Sequence, residues 1–137
     1  MTTNFGEALQ NEDFRIKIAS DMNIAMHLCH GLAKEAGWWT NLETGEPLER
    51  NKGEMFCLMH SEISEAMEGA RKNLMDDHLT YRSMEEVELA DTIIRILDYC
   101  EAHKLDIGGA LVEKLVYNTQ RADHKIENRK EAGGKQF

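Results

Sequence analysis

Proline is almost absent from this chain: Pro47 is the only one among 137 residues. That excludes collagen-like and proline-rich extended architectures and leaves long uninterrupted helices open. Cysteine is scarce too. Cys29, Cys57 and Cys100 form no CxxC pair and no even-numbered framework, so neither a disulfide scaffold nor a zinc ribbon is expected. Each falls in an apolar helical stretch and reads as a buried thiol, which fits a reducing, cytoplasmic setting. No run of eighteen apolar residues occurs, and the opening MTTNFGEALQNEDF is neither basic nor continuously apolar, so no membrane span and no signal peptide are expected. Positive charge is in deficit: 16 Lys and Arg against 25 Asp and Glu give a net charge of −9. With no basic patch among aromatics, a nucleic-acid backbone is a poor partner. There is no GxSxG elbow, and histidines 27, 30, 60, 78, 103 and 124 make no convincing zinc arrangement.

What is present is helical periodicity. Apolar residues make up 42% of the chain, enough for the core of one domain spanning 1–137, with a flexible tail at 130–137 where Gly133 and Gly134 oppose helix. Four main helices are predicted. The first runs from about Glu12 to Ala36, with Met22, Met26, Cys29 and Ala33 in phase and Gly37 as a left-handed stop; its start is open, because Ser20 can cap a shorter helix. The second spans about Glu54 to Asn73, with Met55, Met59, Ile63, Ala66, Met67, Ala70 and Leu74 as its apolar side. Ser83 with Glu86 is a capping box that opens the third, which ends near His103 and carries Leu89, Ile93, Ile96 and Cys100 on a wide stripe. The fourth starts at Asp106 or Gly109 and reaches about Arg129. Between the first two lies GWWTNLETGEPLERNKG, with both tryptophans, long enough to be functional. The expected fold is an all-α helical bundle. Its third helix is apolar over so much of its circumference that homo-oligomerisation is expected to cover it.

Two carboxylate pairs stand out. Glu62 and Glu65 share one helix face at i, i+3, and Glu88 and Asp91 repeat the spacing on the next helix. Packed side by side, the two helices would bring four carboxylates together, tolerable only with protonation or a bound cation, and magnesium suits an all-oxygen set. Periodicity alone reads differently. Glu62 falls on the margin of the apolar arc, Glu65 beyond it, and Glu88 and Asp91 opposite the apolar centre, which is the pattern of a solvated surface. On the fourth helix Lys114, Asn118, Arg121 and Lys125 share one stripe, either an ordinary solvated face or a grip for phosphoryl oxygens.

Taken together, Glu62-Ile-Ser-Glu65 and Glu88-Leu-Ala-Asp91, with 22 residues between them, resemble the ExxE and ExxD signature of the MazG-like all-alpha nucleoside triphosphate pyrophosphohydrolases, a superfamily that also holds the dimeric dUTPases. The stretch from Asn118 through Arg121 to His124, closed by Gly134, Lys135 and Phe137, is similar to the C-terminal pattern of phage and bacterial members. The likeness covers about 75 residues. It implies that Glu62, Glu65, Glu88 and Asp91 ligate Mg2+, with Mn2+ as a substitute, and that Lys114, Asn118 and Arg121 contact the triphosphate; Gly133, Gly134 and Lys135 read either as a flexible flap over phosphate or as a frayed terminus. It also implies that Trp38 and Trp39 lie near the base, that hydrolysis between the α and β phosphates gives a nucleoside monophosphate and pyrophosphate, and that the bundle is a homodimer or a dimer of dimers. Ser61 stands where many members carry a further acid, which leaves the number of metals open. Glu62, Glu65 and Glu88 all remain candidates for the group that orients or deprotonates water. The alternatives are a phosphoribosyl-nucleotide pyrophosphohydrolase with the same metal site, and a non-catalytic helical interaction protein whose acidic faces dock a basic partner.

Overall fold

The computed structural model describes residues 4–135. Among them the chain is an all-α helical bundle of several helices, with two isolated bridges, Thr40 to Pro47 and Met75 to Ser83, in place of a sheet. In order these are α1 (Phe5–Ala8), α2 (Glu12–Glu35), α3 (Lys52–Lys72), α4 (Met84–Ala102), α5 (Ile107–Gln120), a 3-10 turn (Ala122–His124) and α6 (Ile126–Lys130). The chain divides into two compact units. One comprises residues 25–105; the other joins 4–24 to 106–135.

Local chemistry sets the helix ends. Asn11 settles the start of α2: its side chain accepts from the Phe14 N–H at 3.0 Å, so Ser20 is interior. At the other end Gly37 takes φ +84°, the Gly37 N–H donates to Lys34 and the Trp38 N–H donates to Ala33, which is the Schellman arrangement. Asn73 (φ 51°) and Lys104 (φ 55°) close α3 and α4 in the same way. The capping box at Ser83 forms as the sequence predicts: the hydroxyl accepts from the Glu86 N–H and the Glu86 carboxylate accepts from the Ser83 N–H.

Within the 25–105 unit, α3 and α4 form an antiparallel pair. The residues that α3 buries are Met55, Met59, Glu62, Ala66 and Gly69. Their spacing of four and three is that of a coiled-coil seam. On α4 the matching positions are Glu88, Thr92, Arg95 and Tyr99. At the loop end the seam is so tight that a Cβ on Gly69 would lie 2.9 Å from Met84 Cβ. Farther along, Phe56 packs on Tyr99 with ring centroids 4.8 Å apart.

This corrects the apolar stripes expected from periodicity. Ile63 and Met67 on α3 are 48% and 64% exposed, and Leu89, Ile93 and Ile94 on α4 are also exposed. The seam runs through Glu62 and Glu88, one helical edge away from the strongest apolar residues. Apolarity alone located a hydrophobic face; close helix approach required the small residues Ala66 and Gly69, and these fixed the rotation of α3. The cysteine expectation holds only for Cys100, which is buried; Cys29 is half-buried and Cys57 is exposed.

The fourth helix is also shorter than expected. It ends at Gln120, because Arg121 is extended (φ −69°, ψ 128°) and ties its guanidinium to Asp123 through two hydrogen bonds of 2.9 and 2.6 Å. Lys114 and Asn118 are therefore helical, while Arg121 and Lys125 are not, and no single helical stripe joins the four.

Candidate metal centre

Glu62 and Glu65 sit one turn apart on α3, and Glu88 faces them from the first turns of α4. One carboxylate oxygen from each of the three lies within 4.8 Å of the others. Glu62 and Glu88 are buried and Glu65 is exposed, so the cluster has one open side. Burial pushes the Glu88 carboxyl up to about 7, reinforced by its hydrogen bond with Glu62 and by the charges of Glu65, Glu62 and Asp91. Asp91 is raised too, first by burial and then by Glu62, against the lowering effect of Arg95. The acids therefore crowd one another, and a divalent cation would relieve the crowding. Their donor set is entirely hard oxygen, which fits Mg2+ or Mn2+.

Asp91, expected as the fourth ligand, is not one of the three oxygens that converge. It borders a neighbouring cleft of about 720 Å³ together with Trp38, Arg50, Leu58, Arg95 and Asp98. Arg95 bridges cluster and cleft: its Nε donates to Glu62 Oε1 at 2.5 Å.

The two tryptophans differ. Trp38 is 64% exposed and lines the cleft beside Leu28, Leu32 and Ala36. Trp39 is half-buried and its Nε1 donates to Asp98 at 2.9 Å. Asp98, itself buried, also pairs with His30 Nδ1 at 2.7 Å. Trp39 makes edge contacts with His30 and His103 at 5.4 and 6.4 Å, and the Arg50 guanidinium lies 5.5 Å from its ring centroid. Trp39 thus has its ring edges and its polar atom engaged by protein, whereas Trp38 offers a free surface to a ligand.

The expected phosphate contacts belong to the other unit. Lys114 Nζ lies 4.6 Å from the Tyr117 ring centroid. Asn118 Oδ1 is shielded from solvent and has no hydrogen-bond partner among the described residues. Arg121 is committed to Asp123, and Lys135 Nζ stands 3.7 Å from the same carboxylate. Lys135 is thereby held against the 3-10 turn, and the Arg129 Nε donates to its carbonyl at 3.2 Å. Gln136 and Phe137, the end of the expected tail, lie outside the described residues.

Sequence reasoning missed Arg95, Asp98, Arg50 and His30. A signal for two of them was available. Arg95 interrupts the run Ile93-Ile94-Arg95-Ile96-Leu97 seven residues after Glu88, and Asp98 follows Asp91 by seven. Two helical turns separate residues that share a face.

No family model matches the chain, and neither do curated proteins or solved structures.

Proposed function

We propose that this chain is a MazG-like, Mg2+-dependent nucleoside triphosphate pyrophosphohydrolase, cleaving between the α and β phosphates to give a monophosphate and pyrophosphate. The observation that carries the reading is the convergence of Glu62, Glu65 and Glu88, two of them buried, on consecutive helices. Burying two carboxylates beside a third is costly without a cation.

A divalent cation at this site supplies positive charge against the triphosphate and lowers the pKa of water. Glu62, Glu65 and Glu88 would hold it. Asp91, at the rim of the cleft, completes the acidic set on the substrate side. Burial and neighbouring carboxylates raise Glu88 to about 7 in the metal-free chain, a shift that a bound cation would reverse, so Glu62, Glu65 and Glu88 all stay candidates for orienting the attacking water. Trp38 offers its exposed face to the base, and stacking of this kind is tolerant of base identity. Trp39 holds Asp98, which lines the same cleft, through its Nε1 hydrogen bond. Lys114, Asn118 and Arg121 contact the triphosphate in this reading. Asn118 would donate its Nδ2 to a phosphate oxygen, leaving the unpartnered Oδ1 to accept from water, and Arg121 exchanges Asp123 for phosphoryl oxygens.

Exposed Ile63, Met67, Ile93 and Ile94 support a homo-oligomer, because faces of this size rarely stay uncovered.

The test is pyrophosphate release from the common NTPs and dNTPs, with and without Mg2+, in wild type, Glu65→Gln and Asp91→Asn. Mg2+-dependent release that both substitutions abolish supports the reading. A folded wild type that releases pyrophosphate from none of them, but does so from a phosphoribosyl nucleotide, moves the substrate and keeps the site. A protein inert on every substrate and unaltered in melting temperature by Mg2+ overturns the enzyme.

A further inference from the structure

Arg95 has two claims on it. Its Nε is bonded to Glu62, the most buried of the three converging carboxylates, so in the present state a protein cation stands against one wall of the acidic cluster. Yet the Arg95 side chain is 40% exposed and lines the cleft that holds Trp38 and Asp91. Its terminal guanidinium nitrogens have no hydrogen-bond partner among the described residues. Arg50 borders the same cleft, makes no ion pair among the described residues, and rests on Trp39. A mainly apolar cleft, lined also by Asp91 and by Asp98, which is bonded to His30 and Trp39, thus carries two guanidiniums with donors to spare. Planar forks of this kind fit phosphoryl oxygens.

A divalent cation and the Arg95 guanidinium are like charges drawing on one carboxylate, so metal on Glu62 weakens its hold on Arg95. We propose that Arg95 is an exchangeable counter-cation: it neutralises Glu62 while the carboxylates carry no metal, and when a divalent cation takes Glu62 it turns to a phosphoryl oxygen of the substrate, beside Arg50. This rests on the pyrophosphohydrolase reading above. It makes Arg95 and Arg50 positioning residues for the anion and couples metal loading to substrate grip. Arg95 offsets one carboxylate charge when the cluster is empty, and the substrate-binding fork becomes available only when metal is in place.

The exchange is measured without turnover. Mg2+ alone is titrated calorimetrically into wild type, Arg95→Gln, Arg95→Lys, Arg50→Gln and Glu65→Gln. A non-hydrolysable α,β-methylene nucleoside triphosphate is then titrated at saturating Mg2+. Arg95→Gln removes the competitor, so Mg2+ is expected to bind about tenfold tighter while the analogue binds about tenfold weaker. Arg50→Gln is expected to weaken the analogue and leave Mg2+ affinity unchanged. The opposed movement of two affinities in one variant is what a merely structural arginine would not produce. Equal or weaker Mg2+ binding by Arg95→Gln overturns the proposal. If that variant does not fold, by circular dichroism, Arg95→Lys decides: it keeps the charge but loses the fork, and an analogue affinity equal to wild type overturns the proposal. A wild type that binds no Mg2+, or a Glu65→Gln variant that binds it equally well, refutes the metal centre itself. Wild-type binding lost in Glu65→Gln, with Arg95→Gln unchanged, refutes only the exchange.

Discussion

Glu88 should make the metal-free protein less stable as pH rises through neutrality. Its carboxyl has an ordinary value of 4.5 and is pushed up to about 7 in the folded chain. A folded-state value above the unfolded one means that the folded chain holds the proton more tightly. Below about pH 4.5 both states are protonated and there is no penalty. Between about 4.5 and about 7 the unfolded state ionises first, and stability falls; above about 7 the full penalty is present. At about 1.4 kcal/mol per tenfold change in proton affinity, the penalty is roughly 3 kcal/mol, shared with Glu62 and Glu65, whose charges help to cause it. Glu88→Gln keeps the shape and removes the charge. Urea unfolding in EDTA, followed by tryptophan fluorescence, reads the same unit, because Trp38 and Trp39 both lie within residues 25–105. From about pH 5 to about pH 7.5, wild type is expected to lose roughly 2–3 kcal/mol more than Glu88→Gln does. Millimolar Mg2+ should restore stability to wild type at the higher pH and not to the variant. The groups lowered by local bonds, Glu68, Asp106 and Asp123, lose their contributions only as pH falls below about 4.5, outside this window. Parallel pH profiles for the two proteins would refute the electrostatic account of the cluster.

Gly69→Ala forces a Cβ to within 2.9 Å of Met84 Cβ and 3.0 Å of the Glu85 nitrogen; it should cost about 1–3 kcal/mol in chemical denaturation and lower Mg2+ affinity by spreading α3 from α4. In the other unit Gly108→Ala places a Cβ 2.3 Å from the Ala19 carbonyl oxygen, and should be among the most destabilising small substitutions in a melting series. Trp39→Phe removes the donor to Asp98 and should cost about 1–2 kcal/mol, whereas Trp38→Phe, at an exposed ring, should change stability by about 0.5 kcal/mol or less and show its effect in nucleotide binding.

Much of the helix layout was legible because its signals are local. The Gly37 stop and the Ser83–Glu86 box act within one turn, so a few neighbouring residues specify them. The break at Arg121 was not legible, since nothing in the apolar phase marks the residue at which the side chain folds back onto Asp123. Periodicity put Glu88 on the solvated side of its helix and Glu62 only at the margin of the apolar arc, yet both are buried, while Glu65, beyond the arc, is exposed. It weighs each residue by apolarity, whereas the packed pair weighs how closely two backbones can approach. Gly69 and Ala66 contribute almost nothing to an apolar arc, yet they fix the seam on which Glu62 lies.

By itself, then, the sequence determined the all-α class, most of the helix ends, and the two acidic pairs whose spacing resembles a metal-dependent family. Only the tertiary structure decided that Glu62, Glu65 and Glu88 converge while Asp91 faces the cleft, that Arg95 holds Glu62, and that Trp38 rather than Trp39 is the exposed ring. The reason is physical. Helix propensity and capping are settled by residues a few positions apart, but convergence across α3 and α4 depends on the rotation of each helix about its axis, and contact between residues far apart in the chain, such as Gly69 with Met84 and Glu62 with Arg95, sets that rotation.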